Sequence, residues 1–497
     1  RHDPPVGGGL GAPPRPVLRH LRGGVRRSGV AAARDVWGRA FTYAFAVLCE
    51  QFTDVRKPGH AVVWRLHDAN FHAALDEVER LGDEDMAEAF EQGFAFAARK
   101  RLRFDEAEQW TLRQAKRNER LGREDHAIAS YGTLGNIAHE RRRWEDAERW
   151  YHKTLELSRK HENLPFEAKV YHSLGTVAQG RRRFDEAEQW YTKSLDIKLR
   201  LHDERGAART YHQLGIVAQE RRRYDEAEQW YTKSLDIELR LGNEHGAAAT
   251  YHQLGRVAEE RRRFDEAEQW YTKSLGIKLR LDDEHGAATT YHQLGIVAQE
   301  RRRYGEAEQW YTKSLDILLR LGDEHGAAGT YHHLGIVAQE RRRYDEAEEW
   351  YTKSLELFLK HGDETGAARL YHHLGIVAQE RRRFDEAEQW YTKSQDIELR
   401  LGDEHGAACT YHQLGRVARL RGDHGAAGHR AIDATLGLLK HNDAHNAGIA
   451  MTSFLRAVRV AQPPVAQQLE AKWAAAGLPE ISQELRDQVN AEPPDEA

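Results

Sequence analysis

Apolar residues along this chain fall at spacings of three and four, and the same pattern returns every forty residues. In the block Tyr211 to Thr250, Tyr211, Leu214, Gly215 and Ala218 make one stripe, and Tyr224, Ala227, Tyr231, Ser234 and Leu235 make a second. Such spacing puts each set on one face of an α-helix. The polar triplet Arg221-Arg222-Arg223 separates the two stripes. Leu241-Gly242-Asn243 ends the second helix, because glycine readily takes the left-handed conformation that stops one. Gly215 lets the second helix come close, and Ala227 is the small residue expected to meet it. No stretch alternates with the two-residue period of a strand, so the prediction is an all-α chain of helix pairs.

The repetition is close to literal. The block Tyr291 to Thr330 differs from Tyr211 to Thr250 at four positions: Asp225/Gly305, Glu238/Leu318, Asn243/Asp323 and Ala249/Gly329. A fixed period in this range marks an array of stacked units. Eight full copies fill residues 91–410, beginning at 91, 131, 171, 211, 251, 291, 331 and 371. Residues 51–90 read as a worn copy or cap, with Phe71, Ala74 and Leu75 in register and Leu81-Gly82-Asp83-Glu84 matching the later loop. Residues 411–490 drift into degenerate repeats and a helical cap, where Pro463-Pro464 falls at the start of a second helix. Residues 1–50 read as a Gly/Pro/Arg-rich linker with an undefined helical segment, and 491–497 as an acidic tail. Gln395 stands where the pattern asks for Leu, and Thr111 and Gln114 depart from it in the first full copy.

These residues resemble the tetratricopeptide repeat (TPR). Tyr211, Leu214-Gly215 and Ala218 match the family's first helix, and Ala227, Tyr231, Ser234 and Leu235 match its second. The family's unit has 34 residues, whereas this one has six more, lacks the closing proline, and puts arginines in a turn that is Gly-Asp only at Gly422-Asp423. It is similar to the longer-unit branch of kinesin light chains and bacterial signalling proteins. The resemblance implies a right-handed superhelical solenoid of antiparallel helix pairs, with the first helices lining a concave groove. It also implies a non-enzymatic scaffold for a protein or peptide partner, in some bacterial relatives the sensor arm of a larger signalling protein. The alternative is a regulatory fragment of an NB-ARC-like ATPase, or of another enzyme, whose catalytic domain lies upstream. Arg1 in place of an initiator Met fits such a truncation.

Composition narrows the classes. Charged residues make up 31% of the chain, yet the net charge is −5, so the charges interleave and no general polyanion binder is expected. Two cysteines, Cys49 and Cys409, cannot build a disulfide framework, which suits a reducing cytoplasm. No apolar run is long enough to span a bilayer, and the arginines before apolar residues in 18–49 only loosely mimic a signal peptide. The Arg-, Ala- and His-rich, Lys-poor usage suggests a GC-rich bacterial genome.

Candidate chemistry lies on one stripe of each first helix. The second, sixth and ninth positions of a copy share a face beside the core stripe. They are His172/Thr176/Gln179, His212/Ile216/Gln219, His252/Arg256/Glu259, His292/Ile296/Gln299, His332/Ile336/Gln339, His372/Ile376/Gln379 and His412/Arg416/Arg419. Imidazole and amide groups can satisfy an extended peptide, and Arg256 and Arg416 add two basic points for a carboxylate. Alternatively, the histidines are solvated filler on an idle face. The pairs His245/His252 and His285/His292 lie two helical turns apart, too far for one metal ion, so no metal is expected. The arginine triplets from Arg141-Arg142-Arg143 to Arg381-Arg382-Arg383 could form a ridge for phosphates. The acids that follow them, such as Asp185, Glu186 and Glu188, favour local pairing, and nucleic acid is not expected as a partner. The tryptophans Trp110 to Trp390 read as packing between repeats, and Arg421-Gly422-Asp423 as an ordinary turn. No phosphate loop or HExxH motif occurs, and no catalytic residue or cofactor is expected. Cys409 reads as an idle or buried thiol, and the oligomeric state stays open.

Overall fold

Two 17-residue helices and two three-residue turns account for the period of forty, as in Tyr224–Arg240, its turn, Glu244–Glu260 and the turn after it. The structure is a computed structural model that describes the backbone of residues 58–492. The linker, the residue 18–49 segment and the acidic residues 493–497 lie outside the described residues.

The described helices divide into two compact units at Gly242 and Asn243. The first unit holds α1 (Pro58–Leu81), α2 (Glu84–Lys100), α3 (Phe104–Arg120), α4 (Glu124–Glu140), α5 (Trp144–Lys160), α6 (Leu164–Gly180), α7 (Phe184–Arg200), α8 (Glu204–Glu220) and α9 (Tyr224–Arg240). The second holds α10 (Glu244–Glu260), α11 (Phe264–Arg280), α12 (Glu284–Glu300), α13 (Tyr304–Leu321), α14 (Glu324–Glu340), α15 (Tyr344–Lys360), α16 (Glu364–Glu380), α17 (Phe384–Leu401), α18 (Glu404–Leu420), α19 (His424–Lys440), α20 (Ala444–Val460), α21 (Pro463–Ala475) and α22 (Gln483–Ala491). No strand occurs among the described residues. Even-numbered helices up to α20 are the first of a pair and odd-numbered helices the second; such short turns make neighbours antiparallel. Each first helix begins well before its tyrosine: Glu244-His245-Gly246 is already helical.

The turns explain the helix boundaries. Between α8 and α9 the middle arginine, Arg222, takes φ 57°, and Gly422 takes φ 83° at the same place between α18 and α19. First helices other than α4 carry side-chain caps: Asp283 accepts from the Gly286 amide at 2.9 Å and Asp403 from the Gly406 amide at 2.9 Å. Second helices from α3 to α17 start after an arginine that makes no such cap, as α9 does, but Asp225 and Glu226 favour its positive end; α19 instead starts after Asp423, which accepts from the Ala426 amide at 2.9 Å.

In the copies from 131 to 371 each pair closes around a tyrosine. Tyr231, Tyr271, Tyr311, Tyr351 and Tyr391 are fully buried. A Cβ added to Gly215 would lie 2.5 Å from the Tyr231 ring. The glycine therefore makes room for an aromatic ring. Ser234 donates to the Ala208 carbonyl of α8 at 2.9 Å, and Ser314 to Ala288 of α12 at 2.9 Å, one buried tie per pair. Trp230 stacks on Tyr211 of its partner helix with ring centroids 5.6 Å apart. The tryptophans thus pack inside a pair as well as against the next, a shift from packing between repeats alone. Gln395 is buried, and its Nε2 has no hydrogen-bond partner. At the far end, Phe454, Leu455, Leu469, Trp473, Ile481 and Val489 form a core of their own. α21 starts at Pro463, and α22 stops at Ala491, just ahead of Pro493-Pro494.

Candidate binding face

In the first unit, the His172 ring of α6 packs 5.2 Å from Tyr191, and its Nδ1 lies 3.3 Å from Thr210 Oγ1 of α8. His212 packs 5.4 Å from Tyr231. Gln179 accepts the Tyr191 hydroxyl at 2.9 Å, and Gln219 accepts that of Tyr231 at 3.0 Å. The second unit repeats the arrangement. His252, His292 and His372 pack 5.3 Å from Tyr271, Tyr311 and Tyr391, and His332 packs 6.0 Å from Tyr351. His292 meets Thr330 at 3.2 Å, His372 meets Thr410 at 3.3 Å, and His412 meets Ser453 at 3.0 Å. Gln299 and Gln339 accept tyrosine hydroxyls at 2.9 Å, Gln379 at 3.5 Å, and Glu259 takes that role for Tyr271 at 2.7 Å.

The second and ninth positions therefore form a seam between helices. The histidines are not solvated filler, and their outward capacity is partly spent. Burial pushes His172, His252, His292 and His332 down to about 3, and His212, His372 and His412 to about 4, so all are neutral near pH 7. Burial also pushes the Glu259 carboxyl upward against its tyrosine bond. The sixth position is what remains on show: Ile216, Ile296, Ile336 and Ile376 are half-buried. Arg256 bonds Gln253 at 3.4 Å and reaches Glu260 at 3.6 Å, whereas Arg416 bonds Gln413 at 3.0 Å.

Several residues on this face escaped the stripe. His333 and His373, at the third position, stack on Tyr311 and Tyr351 at 5.3 and 5.0 Å. With His292, His332 and His372 they make a chain of touching imidazoles. Arg369 is exposed beside them and adds to the downward push on His332, His333 and His373. Arg209 does the same to His172 in the first unit. Their signal was available: the third position changes from Gln to His in only two copies, and Arg209, Ala249, Thr289, Gly329, Arg369 and Cys409 occupy one equivalent position. At the far end, Arg456 grips Glu492 through two bonds of 2.8 Å, and Arg459 reaches the Glu492 carbonyl at 3.3 Å.

The arginine triplets pair, but with the preceding helix pair rather than the acids after them. Arg221 meets Asp185 at 2.6 Å and Glu188 at 3.0 Å, and Arg223 meets Glu188 at 2.6 Å. Arg301 and Arg303 hold Glu268 at 3.2 and 2.7 Å in the same way. Only the third arginine also reaches forward, as Arg223 does to Glu226 at 2.9 Å. The outer histidines likewise bind the next pair: His285 meets Asp323 at 3.3 Å and His405 meets Asp443 at 3.0 Å. Among the described residues no three His, Cys, Asp or Glu side chains converge on a metal position. Cys409 is partly buried, and burial raises its thiol pKa. No described helix is long and apolar enough to cross a membrane.

A profile of the tetratricopeptide repeat matches residues 125–200, 166–239, 206–280, 286–360 and 366–430. The chain belongs to the tetratricopeptide-repeat family. Solved structures with the same fold include the apo form of RapI, at 15% identity over 72% of this chain and 99% of that one, with a TM-score of 0.56. A Signal Transduction ATPase with Numerous Domains (STAND) protein with a tetratricopeptide repeat sensor, from Pyrococcus horikoshii, aligns at 14% identity over 92% of this chain and 70% of that one, with a TM-score of 0.55. The nearly identical TPR-like repeats of a Podosopora anserina putative kinesin light chain align at 18% identity over 39% of this chain and 95% of that one, with a TM-score of 0.35. At these identities the first two likenesses concern the fold alone, and the third, at its TM-score, carries no argument. No curated protein matches the sequence. The tetratricopeptide array here is the architecture of a protein-interaction scaffold.

Proposed function

We propose that this tetratricopeptide array is a non-enzymatic scaffold whose first helices hold a peptide segment or a partner's helix. The observation that carries this reading is where the near-identical copies differ. The seam histidines repeat in every copy from His172 to His412, while the sixth position changes from Thr176 to Ile in four copies and to Arg256 and Arg416 in two, and the position of Arg209 runs through Arg, Ala, Thr, Gly and Cys. Variation on one accessible face of a constant frame is what a partner-reading surface requires. The candidate face of the first unit is His172, Gln179, His212, Ile216 and Gln219, and that of the second unit is the stripe from His252 to Arg416. Arg256 and Arg416 are its carboxylate-binding points, and few cysteines suit a cytoplasmic setting.

The test is a pull-down with mass spectrometry, comparing the wild type with the double variant Arg256→Glu, Arg416→Glu. Partners recovered by the wild type are expected to be depleted from the variant; unchanged recovery overturns the site. A second reading, the sensor arm of a larger signalling ATPase, is favoured by the alignment with the STAND sensor protein over most of this chain. Finding a nucleotide-binding loop in the same open reading frame is its check. The reading as a nucleic-acid binder is weakened by the pairing of two arginines in each triplet, and a gel shift at low salt would revive it.

A further inference from the structure

The first full copy lacks the ring around which other pairs close. In the copies from 131 to 371, the buried second-helix position is a tyrosine, as in Tyr151, Tyr191 and Tyr231. Its surroundings are fixed: His212 and Gln219 touch Tyr231, Gly215 makes room for it, and Tyr311 is also covered by His333 from the next first helix. In the copy beginning at Glu91 the tyrosine is replaced by Thr111. The glycine is replaced by Ala95, a Cβ that the ring would have excluded.

The space has not collapsed. A cleft of about 570 Å³ opens there, lined by Gln92, Ala95, Arg99, Thr111, Gln114 and Thr133 among others. Five of these occupy the positions that in later copies are held by His212, Gly215, Gln219, Ser234 and His333, and Thr111 stands in the tyrosine's own place. Phe96, at the sixth position, lies on its lip with 41% of its surface exposed. Trp110 has turned to a different partner, stacking on Phe94 at 4.8 Å, so the neighbouring aromatic ring does not fill the gap. Arg99 is held by Glu140 at 3.0 Å, which fixes a polar edge beside the opening.

We propose that this cleft is a socket for an aromatic side chain, Tyr or Phe, presented by a peptide segment of the binding partner. The proposal rests on the scaffold reading above and gives it a local specificity. The occupant is identified by the chain itself: in seven other copies the homologous space is filled by a tyrosine ring lying against the same helix positions. Large aromatic anchors in preformed pockets supply much of the energy of peptide recognition, because little entropy is lost in placing a rigid ring.

The experiment uses the full chain and saturation-transfer NMR with N-acetyl-tyrosinamide, with N-acetyl-leucinamide as the aliphatic comparison. The decisive variant is Ala95→Gly with Thr111→Tyr, which refills the socket from within. Ring-proton signals are expected in the wild type, stronger than those of the leucine probe, and lost in the double variant while its thermal midpoint does not fall. Equal signals in wild type and variant, or equal signals from both probes, overturn the socket. Should the double variant lose helicity, Thr133→Trp narrows the cleft from α4, and retention of the ring signal there overturns the proposal as well. The outcomes separate from those of the scaffold reading. A ring signal that depends on Thr111, with no partner lost in the Arg256/Arg416 pull-down, sinks the distal stripe and leaves the socket standing.

Discussion

Gln395 shows what one break in the repeat costs. Its amide is buried where Leu275, Leu315 and Leu355 sit in other copies, and its Nε2 finds no acceptor. An unsatisfied buried donor costs about 1–3 kcal/mol. Gln395→Leu is therefore expected to stabilise the local pair by about 1–2 kcal/mol, read as a higher urea midpoint. Gly295 is the opposite case. A Cβ there would stand 2.5 Å from the Tyr311 ring, so Gly295→Ala should destabilise by about 1–3 kcal/mol despite alanine's better helix propensity. A thermal midpoint at or above wild type would contradict the tight fit. The pairing of Ala95 with Thr111 in the first copy shows the same coupling solved the other way.

At the scale of elements, helix pairs are joined by ion pairs that reach back one copy. Glu268 holds both Arg301 and Arg303, linking α11 to the turn between α12 and α13. These groups are partly exposed, so each contact is worth little and is screened by salt. Glu268→Gln should cost about 0.5–1 kcal/mol at low salt and less in high salt, measured by urea unfolding at two ionic strengths. A loss that is large and independent of salt would show that the carboxylate does more than pair charges. Glu492 acts in the same way at the end of the second unit. The Arg456 guanidinium bonded to it holds its carboxyl below the usual carboxylate range, so Glu492→Gln should loosen α22, visible as faster amide exchange at Val489.

At the scale of the whole molecule, the seam histidines make stability depend on pH. His292 and His332 are pushed to about 3, and His333, His372 and His373 to about 4, mainly by burial. Their folded pKa values lie below the unfolded value of about 6.5, so the unfolded chain binds more protons in between. Stability is then fully present above about pH 6.5 and is lost as pH falls from there towards 4. Each such histidine contributes a slope of about 1.4 kcal/mol per pH unit inside its window. Urea midpoints at pH 7.5, 5.5 and 4.5 should fall steadily, and His332→Gln with His372→Gln should flatten the fall. Because such arrays unfold by neighbouring units, the loss is expected as local opening of α12 to α17 before global unfolding.

Much of this was legible from spacing alone. The three-and-four rhythm of Tyr211, Leu214 and Ala218 makes a helix wherever it occurs, and glycine at Gly242 stops one, because both depend on local backbone geometry. The family, the helix pairs and the forty-residue period followed from that. The sequence also pointed to Gln395, and to Thr111 and Gln114, as places where the pattern breaks. What it could not show was which side of a polar residue would be covered. His212 and Gln219 share a stripe with Ile216, yet their rings and amides turn towards Tyr231, a choice made by the second helix and its neighbour. Glu188 follows its own arginines in sequence but binds Arg221 and Arg223 of the next pair, because stacking brings those closer. Thr111 read only as a weak core position. Whether a missing ring leaves a collapsed core or an open cleft depends on how neighbouring side chains repack, and only the tertiary structure decides that.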